Sequence, residues 1–319
     1  MRITNRSAGA CGKRSRTIFA GSFLIVLAPL LALPIGAHAQ ASVGAGLAPP
    51  TEGAASGAPT TVISSAAAAQ QSEVLLPAQS AEKAKAIIQK AIQALGGPAY
   101  LGIRDISCSG RFAQFDRNGK LGGYARFWDY TKLPDKNRTE YFKQRNIIQV
   151  RTAQAGWDMD RGGVVDAPAD DLESYQESLK KDIHAIFRSR LNEEGMVFRY
   201  GGPDIVDLKQ VDWVEIMDRD RRSFRIAMER ATSLPIRAEI TTRNPRTRER
   251  TVETYYLSNY HPVGGVTTAL QEARERNGRK VYQVFIDECQ YNTGLSDSLF
   301  TRESLEQRFA ELNKGKKKK

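Results

Sequence analysis

The chain has 319 residues, 47 of them basic and 36 acidic, with 41% hydrophobic residues and three cysteines. Its net charge of +11 comes mainly from its two ends, because five basic residues stand near the start and five lysines near the end. The body between them is close to neutral and lacks the basic footprint of a nucleic-acid-binding protein, so we expect no nucleic-acid partner.

Residues 1–39 have the pattern of a secretory signal peptide. A basic start is followed by an apolar run over residues 17–37, which ends on the small-x-small triplet Ala37-His38-Ala39. We expect cleavage near Ala39-Gln40 and a periplasmic or secreted mature protein. Because an apolar run of about 20 residues is long enough to span a bilayer, a retained N-terminal membrane anchor is the alternative.

The remaining chain divides into three parts by composition. Residues 40–78 are rich in Ala, Gly, Ser and Pro, with few large apolar side chains, and this composition predicts a disordered linker. Residues 79–313 are enough for one domain with a substantial core. Residues 314–319 form a basic tail, which is suited to contact anionic surfaces or is simply solvated.

Three segments have the apolar periodicity of amphipathic helices, namely residues 81–95, 171–192 and 301–313. Gly96-Gly97 followed by Pro98 ends the first of them, and Asp170 and Asp171 suit the start of the second. We expect the second helix to cover part of the sheet described next.

Strand-like segments fill the intervals between these helices, and hairpin signals separate several of them, including residues 116–120 and Asn277-Gly278. So many sequential antiparallel strands predict a mainly β (α+β) fold. The expected architecture is a strongly curved antiparallel sheet that forms an incomplete barrel, with helices covering its concave face.

Two cysteines remain in the mature chain, Cys108 and Cys289, each in a strand-like segment. An oxidising compartment permits a disulfide. Because a bridge requires Cα atoms within about 7 Å, and sequence alone does not show whether these two meet, their pairing stays open.

The residues that usually carry catalysis are few and scattered. His184 lies at the edge of a helical stripe and His261 lies in a turn, and no third group is in place to orient either one. Asp158 and Asp160 share one face of a strand, which is typical of a polar outer face. We therefore expect a non-catalytic protein without metal or cofactor, and a carboxylate-dependent hydrolase is the weaker alternative.

Large apolar residues are abundant on the predicted strands. Such residues form either a packed core or the wall of a cavity for an apolar ligand. The candidates to face inward are Phe112, Tyr124, Phe127, Tyr141, Ile147, Val150, Trp157, Trp213 and Phe224.

Several segments, taken in order, resemble the periplasmic lipoprotein-carrier (LolA-like) family. The segment Phe127-Trp128-Asp129-Tyr130-Thr131-Lys132-Leu133-Pro134, followed by Arg138, resembles its second-strand motif. Further similar segments are Ile148-Gln149-Val150, Gly156-Trp157, Leu234-Pro235-Ile236-Arg237-Ala238, Tyr255-Tyr256-Leu257-Ser258-Asn259-Tyr260, Gly264-Gly265-Val266 and residues 292–300.

The resemblance implies an open barrel whose hydrophobic cavity carries lipid or lipoprotein acyl chains beneath a helical lid. It also implies a role in envelope lipoprotein trafficking or sensing, with an envelope membrane protein as a further partner. Carriers of this family place an Arg directly before the motif's Pro to latch the lid. Leu133 occupies that position here, so Lys132 and Arg138 become the latch candidates. An envelope scaffold with a dry core is the alternative function.

Overall fold

The structure, a computed structural model, describes residues 75–244 and 246–314. The predicted signal peptide, most of the predicted linker and residues 315–319 of the basic tail lie outside the described residues. Within the described residues, no helix combines the length and the apolar character that crossing a membrane requires.

Helix α1 (Pro77–Ala94) begins four residues earlier than the sequence predicts, with Pro at its first position, where a missing N–H costs no hydrogen bond. Its buried face carries Ala84, Ile88, Ala91 and Ile92. The helix is followed by Gly96, where φ is 127° and an added Cβ would lie 2.4 Å from the carbonyl oxygen of Gly265. Only glycine allows this close approach, and the short helix α2 (Pro98–Leu101) follows it.

Six strands come next, and each of the last five pairs antiparallel with the strand before it. They are β1 (Asp105–Phe115), β2 (Leu121–Lys132), β3 (Lys136–Tyr141), β4 (Ile147–Arg151), β5 (Gly156–Asp160) and β6 (Gly163–Asp166).

The second predicted helix is broken into shorter pieces, which are α3 (Ala169–Lys181), α4 (Ile183–Ala185) and a π-helical turn (Ile186–Arg190). The break falls at Asp182, whose backbone is extended with ψ at 114°. The Asp182 side chain accepts a hydrogen bond from the backbone N–H of His184 at 2.8 Å and so caps the new start. Sequence periodicity did not reveal this break, because the apolar stripe continues across it.

Seven more strands complete the sheet, and a 3-10 turn (Asp297–Phe300) leads into the last helix, α5 (Arg302–Lys314). The strands are β7 (Val197–Val206), β8 (Lys209–Met217), β9 (Ser223–Glu229), β10 (Pro235–Arg243), β11 (Arg250–Val263), β12 (Val266–Arg276) and β13 (Arg279–Tyr291).

All thirteen strands belong to one antiparallel sheet, in which β13 returns to pair with β1. The order β6-β5-β4-β3-β2-β1-β13-β12-β11-β10-β9-β8-β7 leaves β6 and β7 as free edges, so the barrel does not close. The expected mainly β fold with an incomplete barrel is therefore confirmed.

The largest core cluster lies on the concave face, where α1 and the π-helical turn pack against β7–β12. A second cluster continues on the same face around Phe112, Phe127 and Tyr141. The convex face also has a cover, because α5 packs Leu305 against Ile148, Val150 and Met159. The sequence predicted α5 but not that it lies on the side opposite to the other helices.

Cys108 and Cys289 form a disulfide across the β1–β13 pair, with their Cα atoms 4.1 Å apart. The question that the sequence left open is thus answered by strand register, which sets the two residues directly opposite each other.

Candidate functional site

The nine apolar residues predicted to face inward do not line a single cavity. Phe112, Phe127 and Tyr141 lie together on the concave face with Ile147 packed against them. Phe224 belongs to the concave cluster under α1.

The other four predicted residues lie elsewhere. Val150 and Trp157 are paired in register on the convex face beneath α5, and Trp213 lies in a separate convex cluster with Val211 and Ile236. Tyr124 is 59% exposed. Because side chains alternate between the faces of a strand, apolar content on both faces predicts two layers of core. This corrects the expectation of one shared cavity, whereas ligand binding by the concave residues stays a prediction.

The two latch candidates hold the C-terminal segment rather than the helices of the concave face. Lys132 forms an ion pair with Asp297 at 2.9 Å. Arg138 donates to the carbonyl oxygen of Leu299 at 3.0 Å and to the hydroxyl of Ser304 at 2.9 Å. Their side chains therefore anchor α5 and the turn before it on the convex face.

A cavity lies between the helices and the concave face, alongside the β1–β13 pair. Its empty space is about 790 Å³ with its open mouth included. The apolar part of its wall comes from Leu95, Ile103, Ile106, Cys108, Leu257, Val266, Ala269, Val284, Ile286 and Cys289.

One end of this cavity, beside α2 and the π-helical turn, carries polar side chains. The Tyr100 hydroxyl lies 2.8 Å from Nδ1 of His184, and the Arg188 guanidinium stands over the Tyr100 ring at 5.6 Å from its centroid. Burial, with a smaller contribution from Arg188, lowers the pKa of His184 to about 3. His184 is therefore neutral at physiological pH and does not add to the positive charge of Arg188.

Glu272 is the one carboxyl group on the wall of this cavity. It pairs with Val284 in register and accepts a hydrogen bond from the Tyr282 hydroxyl at 2.5 Å. Burial raises the pKa of Glu272 to about 7, against the smaller lowering effects of Tyr282 and Arg274. A carboxyl group that is half neutral near pH 7 suits an apolar wall better than a full charge does.

Glu253, farther along the same face, has the opposite shift. Burial alone would raise its pKa, but Arg274, Lys181 and Arg276 together lower the pKa to about 2. The Nζ of Lys181 at the end of α3 lies 3.3 Å from Oε2 of Glu253 on β11. This ion pair ties α3 to the concave face.

A second cavity lies at the far end of the concave face and has an empty space of about 600 Å³. Phe112, Tyr124, Tyr141 and Ile147, four of the nine predicted residues, line it. Phe112 packs with Val284, and Val284 also lines the first cavity, so one apolar strip connects the two.

The carboxylates considered for catalysis have structural partners. Asp158 forms an ion pair with Arg151 at 2.8 Å, and Asp160 accepts from the backbone N–H of Gly162 at 2.7 Å. The ring of His261 contacts the side chain of Asn259 on an exposed strand end. Over residues 75–244 and 246–314, the structure contains no cluster of three or more His, Cys, Asp or Glu suited to a metal ion.

The architecture has a counterpart among solved structures. A domain from Vibrio parahaemolyticus that is named for outer membrane lipoprotein sorting superposes with a TM-score of 0.50 at 14% identity, over 71% of this chain and 99% of its own. The chain has a LolA-like fold. At this identity the likeness concerns the fold alone.

Two further solved structures are similar to this chain. A DUF1329 family protein from Desulfovibrio piger aligns over 70% of this chain and 98% of its own, with 14% identity and a TM-score of 0.49. A LolA superfamily protein from Nitrosomonas europaea aligns over 70% and 99%, with 12% identity and a TM-score of 0.46. No protein-family model matches the sequence, and no curated protein does.

Sequence reasoning missed most of the residues around the first cavity, including Tyr100, Arg188, Glu272 and Tyr291. They come from a short helix, a π-helical turn and the paired strands β12 and β13, which are far apart from the helix and the turn in the sequence. One signal was available, because Arg188 directly follows the buried pair Ile186-Phe187 in the predicted apolar stripe.

Proposed function

We propose that this protein is an exported, non-catalytic binding protein that holds lipid or the acyl chains of lipoproteins in the cavity on its concave face. The single observation that carries the proposal is the cavity itself, which has an apolar wall and lies between the helices and the sheet. The LolA-like fold supports it, as does the export pattern of residues 1–39. A role in envelope lipoprotein trafficking or sensing, with an envelope membrane protein as partner, follows from the same reading.

Filling the cavity tests this function. Ala269 lines the cavity and packs against the concave core, so Ala269→Phe places a ring where the ligand would lie. Ala273 is the matched control, because it lies on the same strand opposite Tyr256 and outside the set of residues that line the cavity.

Native mass spectrometry and lipid extraction would be applied to the mature chain purified from the envelope of an exporting host. We expect lipid or acylated peptide at near one per chain in the wild type and in Ala273→Phe, and little or none in Ala269→Phe. A wild type that is free of ligand and takes up none on addition would contradict the proposal. That result would favour the alternative of an envelope scaffold with a dry core.

A further inference from the structure

The polar end of the cavity contains a positive charge whose hydrogen-bonding capacity is unused. The Arg188 side chain is only 9% exposed and lines the cavity, yet its guanidinium makes no hydrogen bond within the part of the chain that the structure describes. Its nearest carboxylate oxygen is Oδ2 of Asp182, 3.7 Å from Nη2, which is beyond hydrogen-bonding distance. A guanidinium on a mostly apolar cavity wall is stabilised by an acceptor that enters from the cavity.

The groups around Arg188 do not supply that acceptor. Asp182 accepts from the backbone N–H of His184 at 2.8 Å, and burial raises the pKa of Asp182. The Tyr100 hydroxyl is engaged with His184 at 2.8 Å. The Tyr291 hydroxyl is engaged with Thr268, also at 2.8 Å. No hydrogen bond joins Arg188 to any of these groups within the described residues, and its side chain lines the cavity.

The cavity wall extends away from Arg188 along strand β13. Tyr291, at the polar end, and Val284 both line the cavity, and they are seven residues apart on this strand. This separation corresponds to roughly 23 Å at about 3.3 Å per residue. Ile286 and the disulfide between Cys108 and Cys289 lie between them on the wall. Glu272, the carboxyl residue among those that line the cavity, is opposite Val284 in register.

We propose that this cavity binds an amphiphile with an apolar chain and an anionic head group, and that Arg188 binds the head group. The inference rests on the proposed function and specifies its ligand class. A planar guanidinium binds a carboxylate or a phosphate through two parallel hydrogen bonds, whereas an uncharged acyl ester leaves its charge uncompensated. The chain of the amphiphile lies against the apolar wall toward Val284.

Three probes that share one acyl chain separate the contributions of head group and chain. They are palmitate, 1-palmitoyl lysophosphatidic acid and methyl palmitate, each titrated calorimetrically at pH 8 into delipidated mature protein. We expect both anionic probes to bind at least about tenfold more tightly than the ester. Tighter binding of the lysophospholipid identifies a phosphate head group, and tighter binding of palmitate identifies a carboxylate.

Two variants assign the difference to Arg188. Arg188→Met removes the charge at similar length, and we expect it to lower palmitate affinity at least about tenfold while methyl palmitate affinity changes less than about twofold. Arg188→Lys keeps the charge and should retain part of the preference. If Arg188→Met weakens both probes equally, Arg188 only supports the fold and the inference is wrong.

The outcomes also separate this inference from the function beneath it. Equal binding of palmitate and methyl palmitate to the wild type would overturn the head-group inference and leave the lipid-binding function standing. Binding of none of the three probes would overturn both. If Arg188→Met does not fold, as judged by circular dichroism, the wild-type comparison of palmitate with its ester decides the matter by itself.

Discussion

Glu272 and Glu253 are two buried or half-buried carboxyl groups on the same face of one sheet, with opposite pKa shifts. Burial dominates at Glu272, whose one hydrogen-bond donor is neutral Tyr282. Three cations surround Glu253 and outweigh its burial. The number of charged neighbours thus determines which carboxyl group remains ionised in the folded protein.

Glu272 makes the stability of the protein depend on pH. Its pKa is about 7 in the folded state against 4.5 for the unperturbed group, so the folded state binds the proton more tightly. Its contribution is complete below about pH 4.5 and is lost as pH rises through about 7. Glu272→Gln should remove this loss, so that it is up to about 3 kcal/mol more stable relative to wild type at pH 9 than at pH 5.

Urea unfolding at pH 5, 6, 7, 8 and 9 measures this difference, with Glu288→Gln as the control. Glu288 is an exposed residue on β13, and its substitution should leave the pH slope unchanged. If the free energy of unfolding depends on pH in the same way in wild type and in Glu272→Gln, the predicted effect of Glu272 on stability is wrong.

Among the secondary-structure elements, α5 and the turn before it have a buried polar attachment to the sheet at Arg138. Arg138 reaches Leu299 and Ser304, and its Nε donates to Glu140 at 2.7 Å. Both side chains of this ion pair are less than 10% exposed. Removing the cation therefore leaves a buried carboxylate without its main partner and removes the hydrogen bonds from β3 to Leu299 and Ser304.

Arg138→Met should lower the free energy of unfolding by about 3–5 kcal/mol, the usual cost of breaking a buried ion pair from one side. The matched control is Arg145→Met, which removes a more exposed arginine whose Nη1 lies 3.7 Å from Glu140. That change should cost under about 1 kcal/mol. The urea midpoints of the two variants measure their losses of stability. Equal losses would contradict the prediction that Arg138 stabilises the protein more than Arg145 does.

At the scale of the whole molecule, the β1–β13 pair joins two meanders, β1–β6 and β7–β13, into one sheet. Nine register pairs and the Cys108–Cys289 disulfide hold this seam. The two cysteines are 181 residues apart in sequence, so the bridge closes most of the described chain into one loop.

The double variant Cys108→Ala/Cys289→Ala should lose up to about 5 kcal/mol of stability, the chain-entropy estimate for a loop of this length. Its strand content should persist, because the backbone ladder between β1 and β13 does not need the sulphurs. Guanidinium unfolding with and without reductant measures the effect. Reductant should destabilise the wild type and leave the double variant unchanged. If reductant leaves the stability of the wild type unchanged, the disulfide does not contribute the predicted stability.

Local sequence signals were enough for the strands, the first helix and the open antiparallel sheet, because alternation and turn residues act over a few positions. They were not enough for the cavity. Val150 and Phe127 are both apolar residues on predicted strands, yet they lie on opposite faces of the sheet. Alternation along a strand does not tell which of its two faces is the concave one. Arg188 and Tyr291 are about a hundred residues apart in the sequence and line the same cavity, which no local pattern records. At Asp182 the helix breaks because the side chain caps the start of α4. The apolar stripe continues across this position, so periodicity does not indicate the break.

The segment between β6 and β7 connects the two free edges of the sheet, and its ion pairs from Asp171 to Arg151 and from Lys181 to Glu253 hold it over the concave face. A protease that cuts this segment produces two fragments, one with each meander. The bridge between Cys108 and Cys289 keeps them covalently joined. On a denaturing gel the cut protein therefore migrates as one species without reductant and as two fragments with it. In the cut protein the segment over the cavity is cleaved, while the β1–β13 wall of the cavity stays joined by the disulfide.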